Sequence, residues 1–563
     1  MAELPFVIKQ YSLPQPPPIL SQKIAVNQKA PSSRNCYPQS QLVSIIEQAD
    51  FILTDELLLD YKRCQRRAFL EIYGDPSEQD KPQDFLLKLR QDGFNHKQAL
   101  FEMAPHQQAN YPNRDWEAGA KATWKLMKQG AERISQGVLL TKTAEGLTLV
   151  SSPDLLVKQP GKSIFGDWLY VPSTIKLGKR PKPEYKIVAA FCSQLLAVVQ
   201  GVWPTVAWLI LRRQNAHAVN LDIWVPAMQK LLEECIETLQ QKQEPEVFIS
   251  RQKCGLCQWY SSCHAIAKSQ QHLSLLPGVT PSRYQELQSL GLTTVESIAD
   301  AQVTTLESFL SQEVAADLLQ QAQSTAQNRA ILRRKHSSTL ESLNGSWEVR
   351  ETTSSVEYPH HEILQPDINP LPTTSVELYF DIEAEPSLKL DYLLGVLVVD
   401  RHTNTERFYS LLAEQPTEEK LIWQQFLDLV WLYPDAPIFH FADYEAETLK
   451  RLAKLYKTPS QLIKPLLPRL VDVHQQVINN VALPVESYSL KNLARWLGFE
   501  WRDADITGSQ CVCLYTQWLE TGDRSLLEII GRYNEDDCRA TYHLKQWLAN
   551  FYQNSSAKHS TNC

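Results

Sequence analysis

Val376-Glu377-Leu378-Tyr379-Phe380-Asp381-Ile382-Glu383-Ala384-Glu385-Pro386 is an apolar, strand-like run that carries acids in its middle. Side chains alternate along a strand, so Asp381 and Glu383 project to one side. A second acidic element, Tyr533-Asn534-Glu535-Asp536-Asp537-Cys538, stands at the start of a helical pattern, where Tyr533 and Asp537 share a face four residues apart. Three or four carboxylates converging on one spot repel each other unless a counter-charge is present. Hard divalent cations supply it, and a pair of them clamps both sides of a phosphodiester in transfer.

Outward from these runs, the chain divides by composition. Its 563 residues exceed one compact core, so two to four domains are expected. Residues 1–40 form a Pro- and Gln-rich tail without core-forming pattern, expected to be disordered. Residues 41–270 mix helix and strand, beginning with a helix over Thr54–Cys64 capped by Thr54 or Asp55. Residues 271–326 read as short helices joined by glycine turns, 327–372 as a polar, Pro-dotted linker, 373–555 as renewed strands and helices, and 556–563 as a tail. Buried-strand character is expected over Leu393–Asp400, and helices over Leu421–Trp431 and Ala446–Tyr456.

No apolar run is long enough to span a bilayer, and the N-terminus has no signal pattern; a cytoplasmic location without membrane contact is the expectation. The net charge of −8 gives no global nucleic-acid footprint, although Lys176, Lys179, Arg180, Lys182 and Lys186 form a local basic patch. The 11 cysteines are odd in number and clustered once, which in a reducing compartment argues for a metal or cluster site rather than disulfides. That cluster is Cys254-Gly255-Leu256-Cys257 followed by Cys263. Cys64 is the upstream candidate for a fourth ligand, and His264 the alternative for zinc. Thiolates suit Zn²⁺ or a [4Fe–4S] cluster, and spacing alone leaves both open.

Around these cysteines the chain resembles the RecB-type exonucleases, including the CRISPR-associated member and the AddB nuclease subunit. In these, one early Cys and a late C-x2-C-x5-C hold a [4Fe–4S] cluster around a PD-(D/E)XK nuclease. Tyr61-Lys62-Arg63-Cys64-Gln65-Arg66-Arg67 is similar to the early Cys with its basic residues, and Gly93-Phe94-Asn95-His96 to the G-x-x-H whose His helps hold metal. Pro153-Asp154, in a strand-like run over Leu149–Val157, matches the first acid; Lys176 matches the Lys, and Gln194 the Gln motif. The resemblance implies a metal at His96 and Asp154, with Asp154 and Lys176 catalytic, and it favours iron–sulfur at Cys64, Cys254, Cys257 and Cys263. One position departs. The second acid, two residues before the Lys, is Thr174, a poor ligand for Mg²⁺, so this site is expected to be weak. Asp167 is the neighbouring acid that could substitute.

Leu276-Pro277-Gly278-Val279 through Leu290-Gly291-Leu292 resembles a helix-hairpin-helix, a motif that grips a phosphate with backbone N–H groups. The last third resembles the DEDD exonucleases of the RNase H-like fold, tyrosine type. Asp381 and Glu383 match the first motif, Tyr533 and Asp537 the last. In the middle motif, His440-Phe441-Ala442-Asp443-Tyr444-Glu445 puts Glu445 where the family has Asp, with Asp443 as the fallback. The resemblance implies that Asp381, Glu383, Glu445 and Asp537 hold Mg²⁺ or Mn²⁺. Tyr533 would orient the attacking water, since an unshifted phenol is protonated near neutral pH.

The whole chain from about Phe51 resembles the bacterial RecB-like putative nuclease family with a C-terminal RNase H-like domain. The expected fold is therefore α/β multidomain: a PD-(D/E)XK restriction-endonuclease-like domain, a helical hairpin segment and an RNase H-like mixed-sheet α/β domain. The expected activity is 3′–5′ exonuclease cleavage of single-stranded DNA by the C-terminal site, beside a DNA-binding N-terminal domain. The alternatives are a non-catalytic DNA-repair adaptor and an RNase. No phosphate loop of the form G-x-x-x-x-G-K-S/T is present, so unwinding would need a partner helicase.

Overall fold

The helix expected after Thr54 forms over Asp55–Arg63, and the cause is visible at its first turn: the Thr54 hydroxyl accepts the Leu57 N–H at 3.0 Å. The computed structural model of the chain describes residues 51–143, 146–212, 216–333 and 371–560, with side chains up to 555. The expected tail over 1–40, most of the 327–372 linker and the last three residues lie outside the described residues.

The described chain forms two compact units, with the boundary at Val247/Phe248 and residues 82–85 grouped with the second unit. The cysteine hairpin, read from sequence as the end of the N-terminal domain, thus groups with the helices that follow it. Among the described residues no helix is long and apolar enough to cross a membrane.

In the N-terminal unit a six-stranded sheet runs in the order 107–108, 133–135, 155–163, 166–175, 207–210, 216–219. The long hairpin of Leu155–Ser163 and Gly166–Ile175 is its centre, and Ala207–Ile210 lies parallel to the second strand. Helix Pro183–Gln200 makes that crossover. It is buried along most of its length, as its apolar sequence requires, and ends at Gly201 with φ 72°. A separate three-stranded sheet joins Ile52–Thr54, Thr148–Ser151 and Leu139–Lys142. The strand expected over Leu149–Val157 is therefore two strands in two sheets. Pro153, which has no N–H for a ladder, stands at the break, and Asp154 falls on the turn between them.

The second unit opens with the cysteine-bearing helices Arg251–Cys254 and Tyr260–Ser269 and continues through short helices to Gln312–Ala326, all-helical as expected apart from 3-10 turns. Gly278 (φ 94°) and Gly291 (φ 75°) make the turns. A five-stranded sheet follows, made of β1 (Val376–Glu385), β2 (Leu390–Asp400), β3 (Thr405–Leu412), β4 (Ile438–His440) and β5 (Leu470–Asp472). They pair in the order β3-β2-β1-β4-β5; the first three form an antiparallel meander, and β4 and β5 run parallel to β1. β1 is central and buried on both faces. Leu378, Phe380 and Ile382 pack with Trp423 and Phe426 of helix Glu419–Trp431 on one face. Tyr379 packs with Phe439, Val477, Leu544 and Leu548 on the other. Glu377, Asp381 and Glu383 share the face of Tyr379 by strand alternation.

The long helix Arg524–Ser560 covers that second face. It begins well before Tyr533, which lies inside it rather than at a helix start. Its packing on the sheet is unusually close. A Cβ placed on Gly395 of β2, the residue opposite Asp381, would lie 1.6 Å from Asn534 Oδ1. Further along the helix, Lys545 reaches Glu377 at 2.6 Å, both fully buried.

Candidate functional site

The acids of β1 and of the long helix meet. One carboxylate oxygen from each of Asp381, Glu383 and Asp537 lies within 4.8 Å of the other two. Strand alternation presents Asp381 and Glu383 together, and a register shift between Glu383 and Ala384 ends the regular pairing just beyond them. Asn534 Nδ2 donates to Asp381 Oδ2 at 2.6 Å, and Trp501 Nε1 to Asp537 Oδ1 at 2.7 Å. The Tyr533 hydroxyl also donates to Asp537. Asp381 and Asp537 are thereby fixed by neutral donors that remove none of their charge.

Burial, reinforced by the neighbouring acids, pushes the carboxyls of Asp381 and Glu383 well above the usual range. Burial likewise pushes Asp537 up to about 7, against the lowering effect of its donors and of Lys491. Burial raises the Tyr533 phenol further above its ordinary value, with the carboxylates adding to it. Tyr533 is thus a donor at neutral pH, not a base.

Glu445 is the acid of the middle motif that turns inward. It is 4 % exposed and adds to the repulsion at both Asp381 and Glu383. His440 Nδ1 stands 3.7 Å from its Oε2. Asp443, the fallback, is exposed at the helix N-terminus. The loop that leads from His440 into this helix is held by Ala442 in the left-handed region (φ 75°), whose N–H reaches Asp472 Oδ1 at 3.0 Å.

The donor set fits a hard divalent cation: clustered, buried carboxylate oxygens, with Glu445 Oε2 and Asn534 Oδ1 buried and without hydrogen-bond partners among the described residues. Residues 378–549 match the RNase H superfamily model. The C-terminal module is an RNase H-like domain. No curated protein matches the chain. Such a domain points to nuclease-type activity on nucleic acid, and the acidic cluster is one that could hold Mg²⁺ or Mn²⁺.

Sequence reasoning found the four acids and Tyr533 but missed the groups that hold them. Asn534 lies inside the quoted motif, beside Tyr533, and could have been noticed there. Trp501 and Lys491 carry no local signal. Lys491 Nζ lies 5.1 Å from the centre of the Tyr533 ring and 5.4 Å from that of Trp501, and donates to Ile506 O. Cys511 and Cys538 are also buried beside the acids, and burial pushes both thiols up, so neither is a thiolate. Because helix and sheet touch through Gly395, Gly395→Ala should lower stability by about 1–3 kcal/mol and reduce metal-dependent activity together. Urea unfolding and a cleavage assay on the same preparation check this; unchanged activity in a folded variant would mean that the helix can retreat without disturbing Asp537.

In the N-terminal unit, a cavity of about 280 Å³ is lined by Asp55, Lys97, Asp154, Thr174, Lys176 and Cys192, among others. The structure thus brings Asp154, Thr174 and Lys176 together. Neither His96 nor Gln194 lines the cavity. Lys97, the next residue in helix Asp84–Glu102, places Nζ 2.6 Å from Asp154 Oδ1, while His96 Nε2 is buried without a hydrogen-bond partner among the described residues. Asp154 Oδ2 accepts the Ile175 N–H at 2.6 Å. Asp167 is on the same strand as Thr174 but seven residues away, roughly 23 Å along an extended chain, so it cannot stand in for the second acid. Of the basic patch, Lys179, Arg180 and Lys182 are exposed, and Lys186 lies over the Trp224 ring.

Cys64 is the single residue between helices Asp55–Arg63 and Gln65–Tyr73. Cys254 and Cys263 sit on the two short helices of the hairpin, with Cys257 in the turn, its N–H on Cys254 O at 2.9 Å. His264 Nε2 is 2.7 Å from Glu486 Oε2, an engagement that competes with any role as zinc ligand.

Proposed function

We propose that this chain is a metal-dependent nuclease whose RNase H-like domain hydrolyses phosphodiester bonds from the 3′ end of single-stranded DNA. The observation that carries the reading is the convergence of Asp381, Glu383 and Asp537 within 4.8 Å, with Glu445 turned in beside them. Bound Mg²⁺ or Mn²⁺ would supply the counter-charge, polarise the phosphoryl group and acidify the attacking water. Asp381, Glu383, Glu445 and Asp537 would hold the cations. Asn534 and Trp501 keep Asp381 and Asp537 from rotating away, and the Tyr533 hydroxyl orients the attacking water toward phosphorus. The test is incubation of anaerobically purified protein with 5′-labelled single-stranded DNA or RNA and Mn²⁺. Stepwise shortening of the DNA is expected; endonucleolytic bands, or cleavage of RNA alone, would overturn the polarity or the substrate.

The N-terminal unit serves in this reading as a nucleic-acid-binding module. Its antiparallel hairpin, crossover helix and parallel strand support the RecB-like assignment. The residues at its cavity fit a divalent cation poorly: Thr174 is neutral, and both oxygens of Asp154 are engaged. Asp154→Asn is accordingly expected to leave cleavage within about threefold. We assign a [4Fe–4S] cluster to Cys254, Cys257 and Cys263, with Cys64 as fourth ligand on the sequence pattern alone. Anaerobic protein should be brown and contain iron and sulfide, and Cys257→Ser should bleach it. Stoichiometric zinc without colour would replace the assignment.

A further inference from the structure

We propose that Tyr444 is a nucleobase-stacking platform at the rim of the carboxylate site, a proposal that rests on the nuclease reading above. Tyr444 is the first residue of helix Tyr444–Leu455, immediately before Glu445. Successive helical side chains diverge by about 100°. Glu445 therefore turns in, while Tyr444 remains 49 % exposed. The phenol is close enough to the site that the charges of Glu445 and Glu383 both act on it.

Its attachment is the reverse of an ordinary surface tyrosine, which packs its ring and leaves the hydroxyl in water. Here the hydroxyl is the inner end: it donates to Asp391 Oδ1 at 2.9 Å. Asp391 is a buried carboxylate at the start of β2, paired with Arg451, and its own N–H donates to Glu419 Oε1 at 2.8 Å. Glu419 is in turn bonded by Arg451 at 3.3 Å and by the Tyr456 hydroxyl. Four polar groups thus brace, from beneath, a ring that offers its surface to solvent next to clustered phosphodiester-type metal ligands. A braced aromatic surface costs little ordering on binding, and every base has a π-face to stack on it, so the platform is sequence-tolerant. It would hold the base nearest the scissile phosphate while the acids hold the metals.

The experiment compares Tyr444→Ala, Tyr444→Leu and Tyr444→Trp with the unmodified protein. Steady-state cleavage of fluorescein-labelled oligothymidylate with Mn²⁺ is measured beside equilibrium binding of the same oligonucleotide with Ca²⁺ in place of Mn²⁺. Alanine and leucine should raise KM, and weaken binding, by roughly tenfold or more, with kcat within about threefold; tryptophan should restore both. Restoration by leucine would reduce the residue to bulk and overturn the proposal. So would a fall in kcat at constant KM, which would make Tyr444 a positioner of Glu445. If the unmodified protein does not cleave, the nuclease reading fails separately, and the binding series still decides: equal affinity in all four proteins, or no binding by any, overturns the platform.

Discussion

Asp381→Asn should abolish metal-dependent cleavage while making the metal-free protein harder to unfold. The two effects have one cause. Asp381 lies among Glu383, Glu445 and Asp537, and the burial and repulsion that raise these carboxyls also oppose folding whenever the groups are ionised. Their folded-state pKa values lie above the unfolded ones. The stability they allow is therefore complete below the unfolded carboxyl range, near pH 4, and is lost as pH rises through the folded values, to about 7 for Asp537. Removing one charge should return about 0.5–2 kcal/mol at pH 8. It also removes a carboxylate that would hold the metal, which should lower the rate by roughly 10³-fold or more. Melting temperatures at pH 5 and pH 8, with and without Mn²⁺, check the linkage. Mn²⁺ should raise the melting temperature of the unmodified protein more at pH 8, where it no longer competes with protons, and far less in the variant. A metal-free variant less stable than its parent at pH 8 would sink the argument.

Lys545→Met should destabilise the RNase H-like domain by about 3 kcal/mol, near the lower end of what breaking a buried ion pair costs. Lys545 is 1 % exposed and its partner Glu377 not at all. The lysine also lies over the Phe439 ring, 4.8 Å from its centre. Methionine fills the volume but leaves Glu377 with one bond from Arg401 at 2.7 Å and one from the Tyr379 hydroxyl at 2.6 Å, which is why the loss falls short of an isolated buried charge. Glu377 titrates in the opposite sense to the site acids. Its bonds hold its carboxyl below the ordinary value, so its contribution is present above the unfolded range and is lost as pH falls. Urea unfolding at pH 7 gives the number; a loss under about 1 kcal/mol would mean that the strand and helix are held by apolar packing alone.

The sequence made the central sheet legible because β1 and β2 combine strong apolar content with short punctuation, and the acids interrupt that pattern where a buried strand would not otherwise carry charge. Glu445 could be chosen over Asp443 only from the motif; in the fold Asp443 is the N-cap and stays at the surface, while Glu445, two positions on and about 200° around the helix, turns inward. The helix start expected at Tyr533 lies inside the long helix, which already begins at Arg524, so the acidic motif marks the functional face of that helix and not its end. The strand over 149–157 failed for a different reason: its two apolar ends are separated by Ser151-Ser152-Pro153-Asp154, a break signal at which the chain changes sheet. Lys97 was invisible because nothing in one dimension distinguishes which of two adjacent helical residues faces a cavity.

Asn534 and Lys545 touch the same strand from the same helix, eleven positions apart, which is three helical turns. That interval sets a ruler. A single inserted or deleted residue between them would swing one contact about 100° away from the sheet, separating the end that builds the acidic site from the end that anchors the fold. The helix can therefore vary in composition on its solvent side over evolutionary time, but not in length across this span.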